Sequence, residues 1–391
     1  MSTIEWNFSN TFPLPYRVLI ISVIGLWAWG SNLQILSWLS IDVPHLLDKN
    51  NNTPSSHKAI YNLAFIFTFW IGLNLVIFWQ VTGGVETEIA EWTSIPLVCY
   101  IIVFAIIVCP FNCCRKKERM RFLRCIRRVV FSLSNDISLA DVIMADILTS
   151  FAKVFGDLYV TGCILLYYDG VYVRNRGWSH IIAPLFTSIP YVIRFKQCMT
   201  EYIGSNRNDK RHLFNAFKYA SAFPVILFSV LQKWYKYEAL TDQSIVWISH
   251  STLFRLWIIS VAFNSMYSFY WDVVMDWKLD FFSPAYPGTL IPGLQLRPNL
   301  HFNESFIYYV AIFIDFLLRF TWSLKLSSHL HIIHQLEGGV FLMELLEVMR
   351  RWLWIFFRLE SAHVERFDKK GGTYSMVELR EHNSSDIELK E

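Results

Sequence analysis

The sequence predicts an all-α membrane helix bundle that crosses the bilayer about nine times (eight to ten), and three observations carry that prediction. The chain is 54% apolar and 17% aromatic but only 17% charged, well below the charged quarter of a soluble domain. Nine apolar segments stand out at about 17–39, 60–80, 95–111, 141–168, 178–200, 216–236, 245–277, 306–326 and 340–359. At about 1.5 Å per residue each can cross a hydrocarbon core of about 30 Å, with 95–111 short and 245–277 long. The loops between them also differ in charge as membrane topology requires.

Taken in order, 1–16 is a short N-terminal segment lacking a basic n-region or a small-residue cleavage site, so the first apolar run is expected to act as its own signal anchor. Residues 17–111 hold the first three helices. Residues 112–130, "NCCRKKERMRFLRCIRRVV", carry eight Lys/Arg and one Glu, which places this loop in the cytosol. The 81–94 loop has Glu86, Glu88 and Glu91 and no cation, as suits the lumenal side; Arg174 and Arg176 in 169–177 dissent mildly. Nine spans then put the N-terminus in the lumen and the C-terminus in the cytosol. Pro184, Pro190 and Pro224 fall inside apolar segments, where a bundle tolerates kinks. The Pro/Gly-rich stretch 278–305 reads as a long connection. Residues 112–368 form the membrane core, and 369–391 are expected to be a flexible cytosolic tail.

A net charge of +3 is too small to imply nucleic acid. The seven cysteines form no C-x-x-C pair, so neither zinc nor a disulfide framework is implied. Cys113 and Cys114 beside the basic run permit S-palmitoylation or are ordinary thiols. Sequons occur at Asn7, Asn51, Asn303 and Asn383, of which this topology makes only Asn7 lumenal. His329, His331 and His334 do not share one helix face, which argues against a metal site. The basic loop sets topology and could also meet anionic membrane lipids. No cofactor is expected.

Charges inside apolar segments are the functional signal, because an ionised group near a bilayer centre costs about 3 kcal/mol or more. In "DVIMADILTSFAKVFGDLYV", Lys153 and Asp157 each fall within about 20° of Asp146 around one helix, with Thr149 and Ser150 at the edge of the stripe; Lys153 and Asp157, four apart, equally suit a structural ion pair. "WDVVMDW" spaces Asp272 and Asp276 four apart between Trp271 and Trp277. "FIDFLLRFTW" does the same for Asp315 and Arg319, with Trp322 three beyond. Lys218 and Tyr219 open another apolar run. "EVMRRWLWIFFRLE" buries Arg350 and Arg351 side by side, with Glu347 one turn before Arg351. Adjacent residues diverge by about 100°, so the two arginines are not expected to make equivalent contacts. Lys218, Arg319, Arg350 and Arg351 set against Asp146 and Asp272 form either a site for a multiply charged anion or a salt-bridge network that fixes packing. A hydrolase built on the aspartates would need a nucleophile or metal arrangement that the sequence lacks, so an enzyme is not expected.

Six ordered stretches, "ADILTSFAKVFGDL", "IPYVIRFKQCMTEY", "HLFNAFKYA", "YSFYWDVVMDWKL", "LLRFTW" and "EVMRRWLWIFFRLESAHVER", resemble the EXS domain shared by eukaryotic phosphate exporters and fungal ER-retention-defective proteins. The resemblance implies phosphate as the anion, held by Asp146, Thr149, Lys218, Arg319, Arg350 and Arg351, with Arg194, Tyr219, Asp272 and Trp322 supporting. Thr149 departs from a family asparagine and Ala152 from a common serine, and Lys153 has no family role. Exporters carry a long N-terminal SPX domain, for which the short segment before the first helix leaves no room. That architecture resembles the ER-retention-defective branch and implies a Golgi or early secretory membrane protein. It would return phosphate released by lumenal glycosylation to the cytosol, supporting retention of ER proteins and glycosyltransferases. A second reading is a sorting scaffold whose tail or loops engage a glycosyltransferase-recycling adaptor. Expected partners are inorganic phosphate, membrane lipids, that adaptor and a second copy of the chain as a homo-oligomer.

Overall fold

The structure, a computed structural model, describes residues 8–47, 56–131, 137–166, 179–239, 249–281, 296–302, 304–326 and 337–388. The three histidines of 329–334, Arg174, Arg176 and the sequons at Asn7, Asn51 and Asn303 lie outside these residues. Every regular element described is helical. In chain order these are α1 (Phe8–Thr11), α2 (Leu14–Trp38), α3 (Val43–Leu47), α4 (His57–Thr82), α5 (Glu86–Glu91), α6 (Ser94–Val108) and α7 (Lys116–Phe131). There follow α8 (Leu139–Ser150), α9 (Ala152–Leu166), α10 (Ser179–Gly204), α11 (Lys210–Ala220), α12 (Ala222–Ala239), α13 (His250–Tyr270), α14 (Ser305–Arg319) and α15 (Glu337–Glu388).

The described residues of the nine apolar segments are mostly helical, but they are not nine equal spans. Among the described residues four stretches are long and apolar enough to cross a membrane, Leu14–Trp38, His57–Thr82, Lys210–Tyr235 and Ser305–Ser323, with the shorter Ser94–Val108 beside them. Several of the nine segments are interrupted, 216–236 even within the spanning stretch Lys210–Tyr235. Segment 141–168 divides at Phe151 into α8 and α9, and 245–277 ends in a π-helical turn, Trp271–Asp276. Segment 216–236 divides between α11 and α12 around Ser221. Pro224 accounts for this last break, since it has no N–H to donate back to the carbonyl of residue 220. The last helix runs unbroken past 368, where the sequence suggested the edge of a flexible tail.

Helix α7, the basic run, is amphipathic. Its Arg119 is buried and is not a surface charge: it donates to the carbonyls of Cys109 (2.8 Å), Cys113 (2.7 Å), Cys114 (2.8 Å) and Ile106. It thereby satisfies backbone acceptors that the end of α6 leaves open. Arg128 reaches Asp141 (2.9 Å), which also closes the Ser138 capping box, so α7 fixes where α8 begins. Helix α2 packs on α4, α9 and α15, and Trp352 donates to Ser31 Oγ (2.8 Å) across the last of these contacts. A clasp around Glu360, with Arg297 (2.5 Å), Tyr308 (2.8 Å) and the His301 amide (3.2 Å), holds residues 297–302 and the start of α14 against α15.

Candidate anion site

The buried charges gather where helices break. At the end of α8 the Thr149 hydroxyl donates back to the carbonyl of Asp146 (2.8 Å), and the Phe151 amide is shared between Ile147 (3.3 Å) and Leu148 (3.0 Å). Such back-bonding competes with the regular ladder. The break separates the predicted stripe. Asp146 turns to α10 and α11, whereas Lys153 pairs with Asp157 on α9 and lies 3.9 Å from Glu344. The Lys153 side chain is 51% exposed and stands apart from the cluster. The uninterrupted helix assumed by the angular argument does not exist here.

Asp146 accepts from Arg194 Nε (3.1 Å) and Nη2 (3.4 Å) and from the Tyr219 hydroxyl. Arg194 also donates to Gln197 (2.7 Å) and lies over the Tyr219 ring at 5.1 Å. Gln197 escaped the sequence reading, although its position one turn beyond Arg194 was a usable signal. Lys218 sits between carboxylates, 3.7 Å from Asp272 Oδ1 and 3.5 Å from Asp276 Oδ2, and faces the rings of Tyr219 (4.8 Å) and Trp271 (5.8 Å).

Asp272 is the hub. The π-helical turn carries it to a position with no solvent exposure, where the Trp277 amide bonds back five residues to its carbonyl (2.9 Å). Extra-residue turns of this kind recur at functional sites. Its carboxylate meets Arg319 through Nε (3.1 Å) and Nη2, Arg350 Nη1 (3.7 Å) and Lys218. Arg319 therefore pairs with Asp272 and not with Asp315 one turn before it, contrary to what i,i+4 spacing suggests. Trp322 packs edge-on against Trp257 (6.4 Å) and beside Phe320 (6.2 Å), and its indole N–H has no hydrogen-bond acceptor among the described residues.

Arg350 and Arg351 do diverge. Arg350 takes Glu347 (2.9 and 3.2 Å), so the nearby acid serves Arg350 and not Arg351. Arg351 donates to Ser150 (2.9 Å) and Thr149 (3.2 Å) and stacks on Trp354 at 4.5 Å. No carboxylate pairs with Arg351 among the described residues, and Arg350 Nη1 has no hydrogen-bond acceptor. Trp354 was missed, although it stands one turn beyond Arg351. Ala152 is buried and offers no polar atom where a serine would.

Five buried or nearly buried cations, Arg194, Lys218, Arg319, Arg350 and Arg351, thus face four carboxylates that pair with them, Asp146, Asp272, Asp276 and Glu347. The cations exceed the acids paired with them by one, and guanidinium forks next to hydroxyls suit a tetrahedral oxyanion.

Residues 12–364, nearly the whole chain, match the EXS family. The chain belongs to the EXS family. It is similar to Protein ERD1 homolog 2 of Schizosaccharomyces pombe, 28% identical across 92% of this chain and 99% of that one. Protein ERD1 homolog 1 of the same yeast is 30% identical across 91% and 92%. Solute carrier family 53 member 1 of Homo sapiens is 28% identical across 89% of this chain but only 50% of its own length. Family membership and the apolar spans make this EXS chain a multi-pass membrane protein. The match begins at residue 12, so α2, α4 and α6 belong to the same EXS unit as the charged core.

Proposed function

We propose that this EXS protein passes inorganic phosphate across a Golgi or early secretory membrane, from lumen to cytosol. The observation that carries the reading is the convergence of five cations around the helix breaks at Phe151 and Trp271–Asp276, one more than the acids that pair with them. Similarity to a solute carrier and, end to end, to ERD1 homologues supports it. Arg351 and Arg350 are the anion's main ligands, with Thr149, Lys218 and Arg319 completing the shell. Asp146 and Asp272 hold the cations in place and keep binding weak enough for release, the compromise that conduction requires. The protein binds and passes its substrate without transforming it. Retention of ER proteins and glycosyltransferases follows from removing lumenal phosphate.

The test is phosphate flux in proteoliposomes. Hydrogen bonds to charged groups contribute about 1.5–3 kcal/mol each. The double variant R350Q/R351Q is therefore expected to lose flux by well over tenfold while remaining in the membrane. Normal flux in that variant would sink the reading. In cells, retention should track flux among site variants; loss of retention on truncation after residue 368 with flux intact would favour a sorting scaffold.

A further inference from the structure

Asp315 is unlike every other acid in the cluster. It has no solvent exposure, and both of its carboxyl oxygens lack a hydrogen-bond donor. The groups facing it are charged: Asp272 from the π-helical turn, Arg350 and Arg351 from α15, and Arg319 from its own helix. Helix α13 meets α14 through aromatic contact, with Phe269 against Phe316 (5.4 Å). An ionised carboxylate with no hydrogen bond in a bilayer interior is far less favourable than the neutral acid. Arg319 stands four residues on, a spacing at which a carboxylate and a guanidinium can pair. Yet its Nε and Nη2 are both committed to Asp272.

We propose that Asp315 is a proton-binding site: it holds a proton in the arrangement seen here and releases it when Arg319 swings from Asp272 to pair with it. The inference rests on the phosphate reading above and deepens it by naming a second, co-transported ligand. The charge balance supplies the coupling. With Asp315 neutral the five cations exceed the paired acids by one, and with it ionised the surplus vanishes. A proton on Asp315 therefore strengthens anion binding, and by linkage a bound anion strengthens the hold on the proton. On release the O–H bond breaks, its electron pair stays on the carboxylate, and the proton passes to water with the departing phosphate. Nothing is oxidised or reduced.

The experiment compares wild type, D315N and D315E in proteoliposomes with an entrapped pH dye. Infrared difference spectra of the same proteins between acid and alkaline buffer read the carboxyl directly. Wild type should move protons with phosphate, and its flux should fall by up to about tenfold per pH unit above the titration of a single linked group. Phosphate's own titration is common to all three proteins and cancels in the ratio. D315N should carry fewer protons per phosphate than wild type, leaving only those that ride on phosphate itself, and should lose the protonated-carboxyl band; D315E should restore both. A proton-to-phosphate ratio equal in D315N and wild type, or a carboxyl band identical in the two, would overturn the inference while leaving phosphate passage standing. If wild type passes no phosphate, the functional reading falls, and the infrared band still decides whether Asp315 holds a proton.

Discussion

The α2–α4 hairpin and the α8–α15 core occupy the same EXS unit, and they accommodate polar groups in opposite ways. In the hairpin, uninterrupted helices of 25 and 26 residues carry mostly neutral polar groups, several of which settle in simple pairs, and the one buried charge among their described residues, Arg17, donates to the Phe12 carbonyl (2.7 Å). Tyr16 donates to Asn74 Oδ1 (2.6 Å), Asn74 to the Ile95 carbonyl (3.3 Å), Tyr61 to Gln34 (2.6 Å) and Trp27 to Thr68 (2.9 Å). In the core, one carboxylate, Asp272, is shared by Lys218, Arg319 and Arg350 from three separate helices. One donor and one acceptor satisfy each other across two straight helices. A buried charge needs several partners at once, and only interrupted helices bring that many side chains to one point.

The sharpest way to break this contrast is Asp272→Asn. Removing one member of a buried pair costs about 3–5 kcal/mol because the partner is left uncompensated. Here Arg319 loses its one paired acid among the described residues, and Lys218 and Arg350 each lose one of two, so thermal unfolding in detergent should drop markedly and flux should vanish. Unchanged melting would show that the cations do not depend on this hub.

The next largest effect tests how the hairpin supports the core. A Cβ added at Gly25 would lie 2.6 Å from the Phe151 ring, at the break between α8 and α9. Overpacking of this sort costs about 1–3 kcal/mol. Gly25→Ala should therefore reduce flux out of proportion to its stability loss, since Thr149 and Ser150 move with Phe151. Equal fractional losses would mean that the break is not held from the hairpin side.

Arg351→Lys keeps the charge and removes the fork that spans Ser150 and Thr149. Losing one charge-assisted bond of about 1.5 kcal/mol corresponds to roughly tenfold weaker phosphate binding, read by titration calorimetry on purified protein. Binding as tight as in the wild type would reduce Arg351 to a point charge. The smallest effect belongs to the hairpin. Tyr16→Phe removes one neutral hydrogen bond and should lower stability by about 1 kcal/mol with flux unaffected. A loss of flux there would erase the division between the two regions.

Several features were legible in the residues themselves. The helical class follows from apolar run length, and the charges in the core stand out because hydrocarbon tolerates them only for cause. That Arg350 and Arg351 part company follows from 100° per residue alone. Spacing served for Lys153 with Asp157, which pair one turn apart, and misled only in drawing Asp146 into the same stripe, because the angular argument assumes a continuous helix and α8 breaks from α9 at Phe151.

By itself, then, the sequence determined which charged side chains enter the membrane and which elements carry them, because burial and helical period are local properties. Only the tertiary structure decided the pairing: Arg319 with Asp272, Glu347 with Arg350, Arg351 with two hydroxyls, and Asp315 with no hydrogen-bond donor. A buried charge takes whichever partners satisfy it best in three dimensions, and for Arg319 and Arg351 those partners come from helix breaks far away in the chain.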